Sequence, residues 1–246
     1  MQTGTDSQRI PVPGLYNLRD LGGMKAKDGR ITAFHRLVRS DALDRLDPSG
    51  VSALSAYPVQ VVIDLRSAEE AENHPDTISR DPAFTYYNIP LLRINADDIN
   101  DGVITDTIST SLGHLYVWMF ENSKAYFAEV LRTILKEKEK TVLFHCAHGK
   151  DRTGLIAAIF YLLCGVDRKD IIENYAVSYM YIKELVAPLI ASTPENVHHI
   201  YMSDASNLER LLAHLDKEYQ GSIENFLFSC GLSPEETEEL RHILLP

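Results

Sequence analysis

The chain has 246 residues, 45% of them hydrophobic, and a formal net charge of −11 at neutral pH. That length and apolar content suffice to bury a sizeable core, while the negative field argues against nucleic acid and anionic membrane surfaces as partners. Three widely separated cysteines suggest a reducing compartment.

Met1 to Pro13 is polar and interrupted by Pro11 and Pro13, so it lacks the apolar stretch of a cleavable signal peptide. Nothing later reaches the length of a membrane span. A cytoplasmic location is the default, and secretion by a route that reads another signal stays open. Asp47-Pro48 has the cap-then-proline pattern that starts a helix. Val59 to Leu65 reads as a buried parallel strand, and Phe84 to Leu91 as another. From Asn95 to Gly102 the chain is acidic and loop-like, carrying Asp97, Asp98 and Asp101. Leu112 to Lys138 reads as a long helical crossover, with Trp118 in a core stripe. After the charged stretch Lys136 to Lys140, Thr141-Val142-Leu143-Phe144 reads as a central strand. Thr153 to Leu163 is a buried helix stopped by Gly165. Asp167 to Ser178 and Leu208 to Tyr219 are further helices, and Ser233-Pro234-Glu235-Glu236 starts a last one. Cys164 and Cys230 read as packing residues. The order implies an α/β fold with a mostly parallel sheet flanked by helices and with added C-terminal helices. The expected organisation is one domain over 1–246, with a catalytic core at about 14–180 and a helical C-terminal part, 181–246, of the same domain.

His145-Cys146-Ala147-His148-Gly149-Lys150-Asp151-Arg152-Thr153-Gly154 lies between the central strand and the buried helix. The first amides of a helix lack partners and carry partial positive charge, so this junction suits a phosphate group. Gly149 lets the backbone approach a ligand, and Gly154 suits close packing of the helix on the sheet. Beside Lys150 and Arg152, at a helix start, a Cys146 thiolate is favoured over the thiol. Arg152 offers a planar fork that matches two phosphoryl oxygens. Thr153 is placed to donate to the sulfur, and His145 to brace the loop. A nucleotide-binding loop would need glycine at Phe144 and Ser or Thr at Asp151. Zinc ligation by His145, Cys146 and His148 lacks a second ligand pair. No metal and no cofactor are expected. In an open α/β sheet, ligands bind beyond the carboxyl ends of the strands, so Asp64, Arg66 and Cys146 should share one rim. The acidic neighbours Asp20, Asp41 and Asp64 make structural pairing the expected state of Arg19, Arg39 and Arg66.

His-Cys-x5-Arg-Thr-Gly resembles the protein tyrosine phosphatase superfamily, and the Gly149 to Gly154 string is similar to its bacterial branch of tyrosine and lipid phosphatases. The resemblance extends to Asn17-Leu18-Arg19-Asp20-Leu21-Gly22-Gly23, Arg39-Ser40-Asp41, Ile63-Asp64-Leu65-Arg66-Ser67 with Glu70, Tyr219-Gln220-Gly221-Ser222 and Gly231-Leu232-Ser233. It spans nearly the whole chain and implies a phosphatase-like sheet. His148 departs from it, because the branch usually has a small residue there.

The resemblance implies phosphomonoester hydrolysis through a phosphocysteine on Cys146, with Arg152 and the amides of Ala147 to Gly154 binding phosphate. It places the general acid at Asp151; Asp97, Asp98 and Asp101 are the alternatives, since the only tryptophan is not in a Trp-Pro-Asp loop. Expected substrates are phosphotyrosine, with phosphoserine, phosphothreonine or phosphoinositides as further candidates, and inorganic phosphate is the product. Lys150 adds a cation suited to multiply phosphorylated headgroups. The alternatives are an inositol-phosphate or pyrophosphate hydrolase, or a phosphate-binding pseudoenzyme.

Overall fold

A computed structural model describes residues 8–92 and 111–246. Its centre is a five-stranded sheet: β1 (Arg19–Asp20), β2 (Leu37–Ser40), β3 (Val59–Asp64), β4 (Thr85–Asn88) and β5 (Thr141–His145), in the order β1-β2-β5-β3-β4. Only β1 runs antiparallel to its neighbour. The expected mostly parallel α/β sheet is what forms.

Side-chain alternation sets the two faces. Leu37, Val61, Ile63, Val142 and Phe144 enter the larger core, while Val38, Val62 and Leu143 enter a smaller one with Leu18, Leu43, Leu54 and Ile78. Val59 joins the smaller core although its parity matches Val61, because the β3–β5 register shifts between these two residues. All five residues of β5 are buried. A strand covered on both faces reads as a continuous apolar run, as Val142-Leu143-Phe144 does.

The described helices are α1 (Pro48–Ala56), α2 (Ala68–Asn73), α3 (Leu112–Asn122), α4 (Lys124–Lys136), α5 (Asp151–Leu163), α6 (Arg168–Ala176), α7 (Ser178–Ser192), α8 (Ala205–Tyr219), α9 (Ile223–Ser229) and α10 (Pro234–Leu244). Asp47 caps α1 by accepting from Gly50 N, and Ser233 caps α10 with Glu236 closing a capping box. The crossover expected as one helix is two. Buried Ser123 ends α3 and starts α4, and the turn stacks Phe120 on Phe226, with Phe127 edge-on to both. Trp118 is partly buried against the larger core, as expected. No described helix is long and apolar enough to cross a membrane.

α5 buries nearly its whole surface and begins two residues earlier than its apolar run suggested, so Asp151 and Arg152 lie in its first turn. Parallel packing brings the carboxyl ends of β2, β3 and β5 to one rim, with Ser40, Asp64 and His145 mutually in register. The loop of interest leaves from that rim.

Candidate active site

Cys146 follows β5 directly and is 2% exposed. Burial by itself opposes ionisation of the thiol, but the Arg152 charge and the Thr153 hydroxyl outweigh it and hold the pKa below the usual thiol value. Thr153 Oγ1 is buried with no nitrogen or oxygen partner among the described residues, which leaves its hydroxyl for the sulfur. Among the described residues no side chain caps α5, so its first amides remain open to a ligand. Cys164 and Cys230 differ sharply: burial pushes both thiols up to about 12. They are unpaired packing residues.

Arg152 donates from Nη1 and Nη2 to the two carboxylate oxygens of Glu70, at 2.7 and 2.8 Å. A guanidinium has five N–H groups, so this grip fixes its plane and leaves donors for an anion. Glu70 is itself set by the capping box that starts α2, donating its amide to Ser67 Oγ and accepting from Ser67 N. Burial raises the Glu70 carboxyl, yet Arg152 and Ser67 bring it down to about 2.

Below the loop, Arg66 donates to Asp64 from Nε at 2.9 Å and from Nη2 at 2.7 Å, and Nη2 also lies 2.9 Å from Asp76. This confirms the expected structural pairing of Arg66 with Asp64. Tyr86 donates to Asp64 at 2.7 Å. His145 reaches down to the same cluster, with Nε2 2.9 Å from Asp76 Oδ2 but out of line for a hydrogen bond, and Nδ1 3.2 Å from Cys146 O. Burial lowers the imidazole pKa, but Asp76 more than offsets this and holds it above the ordinary value. Asp64, Asp76 and His145 bring potential ligand atoms within 4.8 Å of one another. The Arg66 guanidinium sits against both carboxylates and His145, held above its ordinary pKa, supplies a second positive charge when protonated, so the cluster reads as an ion-pair network rather than a metal cage.

Two other pairings differ from the sequence expectation. Arg39 does not meet Asp41; it donates to Gly149 O at 2.7 Å and Asn174 Oδ1 at 3.1 Å. Arg19 does not meet Asp20; it donates to Asn17 Oδ1, Asn174 O and Ser178 Oγ. On a strand, adjacent residues point to opposite faces, which keeps Arg19 from Asp20. Asp41 instead takes the amides of Tyr16 and Asn17 and an ion pair from Arg45, while Asp20 takes the amides of Gly22 and His35 and the Tyr57 hydroxyl.

Gly149 has φ +64, and a Cβ there would lie 2.4 Å from Ser40 O. Its glycine is required by the backbone of β2, not only by a ligand. A Cβ on Gly154 would meet the Tyr175 ring of α6 at 3.2 Å, with Arg39 Nη2 next at 3.5 Å. Gly154 therefore serves helix-to-helix packing as much as packing on the sheet.

Lys150, the residue expected to add a cation to the phosphate site, is fully buried and donates from Nζ to Ile200 O and Met202 O, each at 2.6 Å. Nζ also lies 3.4 Å from Asp151 Oδ1. The Asp151 carboxylate accepts from the Tyr116 hydroxyl, Tyr116 meets Tyr175 Oη at 2.8 Å, and Asn207 Nδ2 donates to Tyr175 at 3.3 Å. Asp151 is thus held at the loop mouth by a buried chain from α3, α6 and α8. The alternative acids Asp97, Asp98 and Asp101 lie outside the described residues. His148 is half-buried, and burial is the main reason its pKa is lowered, which favours the neutral ring. With Ala147 it lines a groove of about 320 Å³ that Leu185, Pro188 and Leu189 of α7 also line, together with polar groups that include Arg45, Glu70 and His74.

Sequence alone gave no role to Glu70, Asp76, Tyr116 or Asn17. Glu70 had a readable local signal, the Ser67-x-x-Glu70 capping box. Asn17 opens the Asn17 to Gly23 string of the resemblance, which assigned it no role, while Asp76 and Tyr116 act across distant segments and carry no local signature.

The model of the family described as "Tyrosine phosphatase family" matches residues 10–246. A tyrosine-protein phosphatase of Nostoc commune is 32% identical over 215 residues, covering 83% of this chain and 72% of that protein. The triple specificity protein phosphatase PtpB of Mycobacterium tuberculosis is 24% identical, covering 95% of this chain and 98% of that protein. The crystal structure of P. aeruginosa TpbA aligns with 18% identity and a TM-score of 0.42, covering 80% of this chain and 86% of that one. With a family match over nearly its whole length and a relative of this identity, the chain belongs to the tyrosine phosphatase family.

Proposed function

We propose that the chain hydrolyses phosphotyrosine through a phosphocysteine on Cys146. The observation that carries this reading is a fully buried thiol whose pKa nonetheless falls, under Arg152 and Thr153, at the uncapped start of α5. The thiolate attacks phosphorus as the bond to the leaving oxygen breaks, and Asp151 gives that oxygen its proton. Arg152 and the loop amides take the nonbridging oxygens. Water then attacks phosphorus, returns a proton to Asp151, and releases inorganic phosphate and the Cys146 thiolate.

The groove beside His148 supports an aryl ester. Leu185, Pro188 and Leu189 offer apolar contact to a ring leaving the loop, whereas Lys150 Nζ is committed to two carbonyls and adds no free cation for a second phosphate. The name of the M. tuberculosis relative speaks of triple specificity, which supports a range wider than phosphotyrosine, including phosphoserine, phosphothreonine or phosphoinositides as slower substrates. We take residues 1–246 as one domain, since α3 packs on α8 and α10 on both α4 and α5.

The test is a turnover screen of phosphotyrosine and phosphoserine peptides, phosphoinositide vesicles and soluble inositol phosphates, with Cys146→Ser as control. The highest kcat/KM should fall on phosphotyrosine. A preference for inositol phosphates would overturn the substrate assignment, and turnover by Cys146→Ser would overturn the mechanism.

A further inference from the structure

Three successive carbonyls of the loop are held by donors outside it. Ala147 O accepts from Ala42 N at 3.1 Å, and His148 O from Asn17 Nδ2 at 2.9 Å. Gly149 O accepts from both Asn17 Nδ2 at 3.0 Å and Arg39 Nη2 at 2.7 Å. A trans peptide unit is planar, with its C=O and N–H pointing in opposite directions, and no described peptide bond is cis. Fixing His148 O therefore fixes where the Gly149 amide points, and fixing Gly149 O does the same for the Lys150 amide. Among the described residues no acceptor takes either amide, although both residues are buried. Unpaired buried amides are uncommon unless a ligand completes them.

The brace is assembled against the ordinary preferences of folding. Arg19 and Arg39 face each other across β1 and β2, both are fully buried, and neither meets a carboxylate among the described residues. Burial pushes both guanidinium pKa values down, and the Nε of each has no partner among the described residues. Arg19 Nη1 donates to Asn17 Oδ1 at 2.6 Å, which turns Asn17 Nδ2 toward the loop. Two buried cations with no carboxylate partner among the described residues, one of them Arg39 within reach of the Cys146 charge, reduce stability, and such violations gather at functional sites.

We propose that Asn17 and Arg39 are positioning residues for phosphate: by holding His148 O and Gly149 O on the outer side of the loop, they turn the Gly149 and Lys150 amides into the anion cradle, with Arg19 fixing the sense of the Asn17 amide. This rests on the phosphatase reading above and adds to it the groups that aim the cradle.

The experiment measures vanadate binding to the full chain by calorimetric titration and by backbone amide NMR shifts. It compares the unmodified protein with Asn17→Ala, Arg39→Met and Arg36→Met. Arg36 also donates to carbonyls, at Lys138 and Ile243, but away from the loop, so it controls for losing any carbonyl-bound arginine. In the unmodified protein vanadate should move the Gly149 and Lys150 amide signals. Both brace variants should bind roughly tenfold to a hundredfold more weakly, the range expected for a misaimed charge-assisted bond, and should lose those shifts. Arg36→Met should bind normally. Normal affinity and shifts in the brace variants, or an equal loss in Arg36→Met, would overturn the proposal. So would an unmodified protein in which bound vanadate leaves the two amides unmoved, a result that needs no variant to fold. If the unmodified protein neither binds vanadate nor turns over a phosphotyrosine peptide, the phosphatase mechanism falls as well. Turnover and binding without the shifts overturn the brace alone.

Discussion

Replacing Glu70 with glutamine separates its charge from its shape. Glutamine keeps the size and one acceptor for Arg152, but it cannot repeat the two-oxygen grip at 2.7 and 2.8 Å. Against the effect of burial, Arg152 and Ser67 bring the Glu70 carboxyl from 4.5 to about 2. At about 1.4 kcal/mol per tenfold change in acidity, that depression corresponds to about 3 kcal/mol. The side chain is 40% exposed, and solvent screening cuts the expected stability contribution to about 1–2 kcal/mol. In a chain of this length that is a Tm loss of roughly 2–8 °C. The pH dependence has a fixed sign. A carboxyl depressed in the folded state stabilises fully above its unfolded pKa, and that stability is lost as pH falls through its folded pKa. The gap between unmodified protein and Glu70→Gln should therefore be constant from neutral pH down to about pH 5 and should narrow steadily below it. Calorimetric melts of both proteins across this range are the assay. No gap at neutral pH, or a gap that persists unchanged in acid, would refute the assignment of Glu70 as the ionised partner of Arg152.

Arg152→Lys keeps the charge but loses the fork, and kcat should fall by roughly 10²–10³, the cost of removing one preorganised donor; near-normal kcat would make Arg152 structural only. Lys150→Ala leaves the Ile200 and Met202 carbonyls without their donor, so it should cost about 1–3 kcal/mol in unfolding experiments. It should also lower turnover of phosphotyrosine peptides and phosphoinositides by similar factors; a loss confined to phosphoinositides would restore Lys150 as a headgroup contact. Asp151→Asn should cost little with p-nitrophenyl phosphate, whose leaving group needs no proton, and far more with phosphoserine peptides. Equal losses on both esters would move the proton donor elsewhere.

What could be read from sequence here was local, and what could not was tertiary. The strand, loop and helix around Cys146 are contiguous, and their apolar runs and glycines announce each boundary to within two residues. The one-rim expectation for Asp64, Arg66 and Cys146 followed from parallel topology alone. Pairing Arg19 with Asp20 failed because adjacent residues of a strand face opposite sides, and pairing Arg39 with Asp41 failed because Asp41 lies past the end of β2, where the Tyr16 and Asn17 amides and Arg45 take it. Asp76 joins the network below the loop from a turn, and Tyr116 reaches Asp151 from a helix 35 residues earlier. Neither pattern differs from that of an ordinary turn aspartate or core tyrosine. Lys150 illustrates the same limit: its position in the motif was plain, but only the fold of the segment around Ile200 decides where its amine goes. The helix break at Ser123 was likewise set by aromatic packing against α9, which no propensity registers.

A phosphocysteine on Cys146 can be caught directly. Unmodified protein and Cys146→Ser are mixed with a phosphotyrosine peptide, quenched in denaturant within a single turnover, digested and examined by mass spectrometry. One phosphoryl group should appear on the peptide containing Cys146 in the unmodified protein as fast as tyrosine is released, and should decay as inorganic phosphate forms. The Cys146→Ser protein should release no tyrosine. Rapid tyrosine release with no phosphoryl group on Cys146, or release undiminished in Cys146→Ser, would contradict the phosphocysteine mechanism.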